Sequence, residues 1–324
     1  MNRLRSFRDI EGLNQSDLAE MLGISVPMVS AIESGRRSFN GDLAVLGYSD
    51  DRLLLPDMSE PIHRARASTA VAAKKRAKEL LRLAGEVFRE LLNVTDKAPA
   101  VLLHRHTMAA GDDELEDLAQ ELRGILGQEE SGPIRNLTAL VERAGICLVP
   151  ISGLTGLDGI SAWVDGVPVI GLNPMVPGDR FRFSLAHECA HLMVHDRRHD
   201  AVENEANQFA GALLFPRDDF DAAMTDRPKL SDFVHLKGNW GMSAAAIIYR
   251  AHELDYVDDA RFRALQIQMS KWRRNEPGRF EPVVGALLPR LIEVNGGSSN
   301  VASRLGVNPK HLQQLTNWSH LRAV

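Results

Sequence analysis

The segment Ser184-Leu185-Ala186-His187-Glu188-Cys189-Ala190-His191-Leu192-Met193-Val194-His195 carries more information than any other in this sequence. Apolar residues recur through it at helical spacing. On a helix, His187 and His191 are one turn apart on the same face, within reach of one metal ion. Glu188 is rotated by about 100° from His187. That places it beside an open coordination position, where it suits a general base acting on a metal-bound water. Zinc, Zn2+, is the expected ion, because it lowers the pKa of such a water to about 7 and polarises a carbonyl.

A zinc site of this kind needs a third protein ligand. His195 extends the i, i+4 series, but it is roughly 12 Å from His187 along a straight helix, too far to close one tetrahedron. A metzincin arrangement would need glycine and histidine where this chain has Val194 and Arg197. The following Glu203-Asn204-Glu205-Ala206-Asn207-Gln208-Phe209-Ala210 is again helical, with Glu203 and Asn207 one turn apart. Glu203 reads as the third ligand, and Asn207 as the hydrogen-bonding partner that orients a ligand side chain. Glu205 points to a different face and is the second choice. The two helices are expected to run antiparallel, joined by residues 195–202.

His-Glu-Cys-Ala-His followed by residues 203–216 (Glu-Asn-Glu-Ala-Asn-Gln-Phe-Ala-Gly-Ala-Leu-Leu-Phe-Pro) resembles the ImmA/IrrE family of zinc metallopeptidases. Asn173, residues 180–186 and residues 240–251 share the resemblance, which covers roughly 112–275. Cys189-Ala190 stands where such sequences often have Leu-Gly, and both residues here are small side chains on the face away from the metal. The resemblance implies a gluzincin-like core of helices on a small sheet. It implies His187, His191 and Glu203 as ligands and Glu188 as the base of a zinc endopeptidase. Its substrate is expected to be a regulatory protein, a repressor for preference, in stress, prophage or mobile-element control.

Upstream of this core, three short strands are expected at 146–151, 160–164 and 167–172, with Asp165-Gly166 as the hairpin turn between the last two. An extended substrate would pair with a free strand edge near the metal, for which Val167–Leu172 is the candidate. His195, His199, His235, Tyr249 and His252 are candidates for stabilising the oxyanion, with no signal to choose among them. Cys147 lies in an apolar strand and reads as a buried structural thiol.

At the other end of the chain, Gln15–Leu22 forms one helical face. Gly23 ends that helix, Ser25 caps a second one, and Pro27 sits in its first turn. Leu13-Asn14-Gln15-Ser16-Asp17-Leu18-Ala19, then Leu22-Gly23-Ile24-Ser25, then residues 29–37 resemble Xre/Cro-type helix-turn-helix domains. The resemblance implies that the second helix enters the major groove of DNA, with Val26, Pro27, Met28, Ser30 and Ala31 facing bases, Gln15, Arg36 and Arg37 contacting phosphates, and the cap Ser25 among the DNA-binding residues. This reading helix is poor in side chains that hydrogen-bond to bases. Leu305-Gly306-Val307-Asn308-Pro309 weakly echoes Leu22-Gly23-Ile24-Ser25. A helical cap on the catalytic domain is the preferred reading of that segment over a second DNA-reading unit.

The expected organisation is therefore a helix-turn-helix domain (1–55), a basic helical linker (56–111), a metallopeptidase domain (112–275) and a C-terminal helical segment (276–324). The fold class is α+β, mostly helical, with a small three-stranded sheet. Within 64–89, eight basic residues stand against Glu79 and Glu86, and a solvated helix face is the preferred reading over a phosphate-facing one. The chain has 324 residues, 44% of them hydrophobic and 25% charged, enough for two or three domains and against disorder. Net charge is −5, so any nucleic-acid surface must be local. Two cysteines exclude a disulfide scaffold. No signal peptide or run of about 18 apolar residues is visible, so no membrane partner is expected and the location is read as cytoplasmic. A homodimer fits a helix-turn-helix reader. The rival function is a transcription factor whose peptidase-like domain senses a ligand or partner without proteolysis.

Overall fold

A computed structural model gives the fold and describes residues 3–39, 41–54, 71–96, 98–104, 112–151, 157–194, 201–272, 276–278 and 280–318. In chain order the helices are α1 (Leu4–Glu11), α2 (Gln15–Leu22), α3 (Val26–Glu33), α4 (Val71–Val94), α5 (Asp112–Ile125), α6 (Leu137–Arg143), α7 (Gly178–Met193), α8 (Val202–Leu214), α9 (Arg217–Ala223), α10 (Leu230–Trp240), α11 (Ala244–Glu253), α12 (Asp259–Ser270), α13 (Leu287–Val294), α14 (Gly297–Leu305) and α15 (Pro309–Thr316). Strands β1 (Cys147–Pro150), β2 (Gly159–Val164) and β3 (Val167–Leu172) form one sheet. The α+β, mostly helical class is as expected. Among the described residues no helix is long and apolar enough to cross a membrane.

The chain divides into two compact units that interleave in sequence. The first unit takes residues 1–99, 147–173 and 285–324, and the second takes 100–146 and 174–284. This differs from the four consecutive segments expected above. The strands next to the His-Glu segment in sequence belong to the first unit, with the N-terminal and C-terminal helices. The C-terminal helices belong to the first unit too, whereas the preferred reading made them a cap on the catalytic domain, and α7, which carries His187 and His191, belongs to the second unit.

In the first unit the sheet order is β1-β3-β2, with β1 parallel and β2 antiparallel to β3. Asp165 (φ 46°) and Gly166 (φ 81°) make the two-residue turn between Val164 and Val167, the left-handed geometry that matches the strand twist. Helix α4 packs on β2 and β3, and α13 and α15 pack on β1. Nearly every strand residue is therefore buried, and the strands read as apolar runs rather than alternating ones. β3 is the central strand and is paired on both sides, so it offers no free edge. The expectation that Val167–Leu172 pairs with a substrate is not met, because an added strand needs unpaired N–H and C=O groups.

The basic stretch reads differently in three dimensions. Ala77, Leu80, Leu81, Ala84, Val87, Phe88 and Leu91 of α4 are core residues. Glu86 is buried and accepts from Arg3 at 2.5 Å and Arg52 at 3.1 Å, while Arg82 pairs with Glu79. Much of this helix is thus interior rather than a solvated face, and residues 56–70 lie outside the described residues. The first unit also holds the N-terminal helices. Arg8 Nε donates to Glu33 at 2.6 Å and Gln15 Nε2 donates to Glu33 at 2.8 Å, tying α1 and α2 to α3.

The second unit packs α8 against α5, α7 and α11, with α10 and α12 on α11. Its core is aromatic: Phe181, Phe209, Phe215, Phe220 and Phe233 are almost fully buried, and Phe215 stacks on Trp240 at 3.8 Å. Helix α7 starts where the chain leaves Pro177 and the Gly178 amide donates to Phe280 O at 2.8 Å. A Cβ at Gly178 would stand 2.5 Å from Glu281 O, so only glycine fits that approach. Buried Lys237 bonds Asp179 at 2.5 Å and Glu276 at 3.0 Å, which anchors the first turn of α7 to α10.

Candidate metal centre

Sixteen residues of α7 carry the His-Glu segment through the second unit, and most of its last three turns are buried. Leu185, Ala186, Cys189, Ala190 and Met193 are buried at 0% exposure. Their Nε2 atoms are 3.0 Å apart, and the rings meet edge to face. Helix α8 contributes Glu203, with one oxygen 3.7 Å from His187 Nε2 and the other 3.8 Å from His191 Nε2. One atom from each of the three side chains lies within 4.8 Å of the others, and they are the metal-capable cluster found among the described residues.

Asn207, one turn after Glu203, takes up the other side of the His187 ring. The amide oxygen of Asn207 is 3.0 Å from His187 Nδ1. That oxygen can only accept, so Nδ1 carries the proton and Nε2 presents a lone pair. Two nitrogens on one tetrahedral zinc, each about 2.0–2.1 Å away, would stand about 3.3 Å apart. The observed separation is close to that, and the Glu203 oxygens are a few tenths of an ångström beyond it. The donor set therefore fits a divalent ion of the zinc type. Glu203 is 42% exposed while the His191 side chain is 4% exposed. The cluster is thus closed on the His191 side and open on the Glu203 side. Glu205 is buried and outside the cluster.

Glu188 follows His187 on the same helix and is buried at 5% exposure. Burial, with the Glu188 carboxylate beside it, pushes the Cys189 thiol far above its usual range, so this cysteine behaves as a small apolar residue. Cys147 is also buried and unoxidised, in β1 of the other unit. Of the oxyanion candidates, His252 pairs with Asp259 at 2.9 Å and stacks on Phe262, while Tyr249 packs on Phe262. His235 is exposed, and His195 and His199 lie outside the described residues.

Arg123 is a supporting residue that the sequence hides. It is fully buried and donates to the carbonyls of Leu213 at 2.8 Å, Glu129 at 2.8 Å and Gly132 at 2.6 Å. It thereby ties α5 to the end of α8, the helix that holds Glu203 and Asn207. Its position beside Leu122 on an acidic amphipathic helix gives no hint of this role. A separate cavity of about 470 Å3 is lined by Arg182, Trp240 and Phe280 among others, and none of the three clustered residues lines it. Burial, with the Arg123 charge adding to it, pushes the Arg182 guanidinium down to about 10.

The DNA-facing expectations fall on α2, α3 and the turn after them. Ser25 caps α3, with its hydroxyl accepting from the Met28 amide. Val26, Pro27, Arg36 and Arg37 are exposed and Ser30 and Ala31 are half-buried. Met28 packs against the hydrophobic core and Gln15 is engaged by Glu33, so these two face inward more than expected.

Comparison with known families agrees with both halves. Residues 142–252 match the M78 peptidase family described as an IrrE N-terminal-like domain, and residues 4–46 match a helix-turn-helix family. The first match runs through segments of both compact units. No curated protein matches the chain. The chain joins a helix-turn-helix DNA-binding domain to an M78 peptidase-like domain of the IrrE N-terminal type, and so has the make-up of a regulator.

Proposed function

We propose that this protein is a DNA-binding regulator whose second unit is a zinc endopeptidase acting on a regulatory protein, with a repressor as the expected substrate. The observation that carries the reading is the convergence of His187, His191 and Glu203 from two packed helices, with Asn207 fixing the His187 tautomer. His187, His191 and Glu203 would hold the ion. Zinc bound there supplies Lewis acidity, which acidifies a water and polarises a peptide carbonyl. Glu188, buried on the same helix, takes the proton from the attacking water and delivers it to the leaving amine.

The test is a comparison of wild type and Glu188→Gln, expressed in cells after DNA damage or phage challenge, with proteome-wide detection of cleavage fragments. We expect a fragment that depends on Glu188, and a loss of cleavage of about 100-fold or more in the variant. Identical fragment patterns, with regulation intact in both, would favour a sensor that does not cleave.

A further inference from the structure

The last three helices repeat the first three. Leu4–Glu11, Gln15–Leu22 and Val26–Glu33 correspond to Leu287–Val294, Gly297–Leu305 and Pro309–Thr316 at one spacing along the chain, with α14 one residue longer at its start than α2. The turns agree in detail. Gly23 (φ 64°, ψ 29°) and Gly306 (φ 60°, ψ 37°) are both left-handed C-caps. Their amides donate to Glu20 O and Ser303 O, and the next amides, of Ile24 and Val307, donate to Ala19 O and Ala302 O at 3.0 Å each. Ser25 and Asn308 then cap eight-residue helices with proline in the first turn. The buried positions match as well: Leu18, Ala19, Val29 and Ile32 in the first set, Val301, Ala302, Leu312 and Leu315 in the second. The segment 287–316 is a second helix-turn-helix.

The outward faces differ in chemistry. On α3 this face presents Val26, Pro27, Ser30, Ala31 and Ser34, which offer few donors or acceptors to a base edge. The same positions on α15 are Pro309, Lys310, Gln313 and Gln314, with Asn317 as its C-cap. Lys310, Gln313 and Asn317 are exposed, and Gln314 is half-buried beside Arg76. The inner face of α15 is occupied: His311 Nδ1 meets the Tyr48 hydroxyl at 2.5 Å, and Asn308 donates to Leu46 O at 2.9 Å. The outer face carries side chains of the kinds that read adenine (Gln, Asn) and guanine (Lys) in the major groove. Arg304, exposed on α14, offers a further cation for phosphate and donates to Asn295 Oδ1 at 3.4 Å.

We propose that α15 is a second DNA-reading helix and carries base contacts, through Lys310, Gln313 and Asn317, that α3 lacks. This rests on the reading that the helix-turn-helix fold here binds DNA. The full-length chain should be used to select duplexes from a randomised double-stranded DNA library. Affinity for the selected duplex is then followed by fluorescence anisotropy over a salt series. The triple variant Lys310→Ala, Gln313→Ala, Asn317→Ala is expected to bind about 100-fold more weakly and to lose preference at adjoining positions. Gln313→Glu should shift one position from adenine to cytosine, a swap that a merely structural role would not produce. Circular dichroism checks that the variants remain folded. An unchanged motif and affinity in the triple variant and in Gln313→Glu would overturn the second reader alone. A wild-type chain that enriches no sequence would overturn it together with the DNA-binding reading.

Discussion

His187 shows how one side chain can be prepared for a metal by another. Its Nδ1 proton is held by Asn207, so its Nε2 lone pair faces His191 and Glu203. Asn207→Ala should therefore weaken zinc binding by about 10- to 100-fold while leaving the fold intact, and Asn207→Asp should weaken it less. Competition with a chromophoric chelator measures both; equal affinities in wild type and Asn207→Ala would remove Asn207 from the site. His187, Glu188 and His191 were legible in the sequence because two histidines at i, i+4 with an intervening glutamate are a geometric statement about one helical turn. Glu203 and Asn207 were legible for the same reason. Arg123 was not, because its role depends on carbonyls from other segments that no local pattern announces.

At the scale of elements, the Asp165-Gly166 turn and its two strands follow local rules and were readable directly. Which strand is central was not, because β1 reaches β3 only through a pairing across intervening chain. Helix α4 shows a second limit. Its period was visible, but its basic residues suggested solvent, and only the fold brings Glu86 to Arg3 and Arg52. Gly85 sits where α4 crosses the sheet, and a Cβ there would stand 2.2 Å from Val164 Cγ1. Gly85→Ala should destabilise the chain by about 1–3 kcal/mol, against the helix preference for alanine. Urea unfolding decides, and a more stable variant would contradict this close approach.

The two helix-turn-helix units meet at Glu11, which lies 3.4 Å from His311 Nε2 and accepts from Asn308. Burial would raise the Glu11 carboxyl, but the hydrogen bond and charge of His311, with Lys310 and Arg76, outweigh it and hold it below its ordinary 4.5. A depressed folded value means that the carboxylate lends stability above pH 4.5 and loses it as pH falls through the lower folded value. Wild type should thus lose more stability than Glu11→Gln between pH 5 and about pH 3. Parallel melting curves for the two over that range would show that the pair contributes nothing.

For the whole molecule, the sequence suggests beads in order, whereas the structure interleaves two units. The echo of Leu22–Ser25 at Leu305–Pro309 was visible, but the unit in which that segment packs was not, because only folding brings it to the first unit. The central claim concerns the second unit and is tested most directly by metal content. Elemental analysis of purified chain should find about one zinc per molecule in wild type and in Glu188→Gln, and almost none after His187→Ala with His191→Ala. Zinc absent from folded wild type after reconstitution, or retained in full by the double variant, would contradict the account.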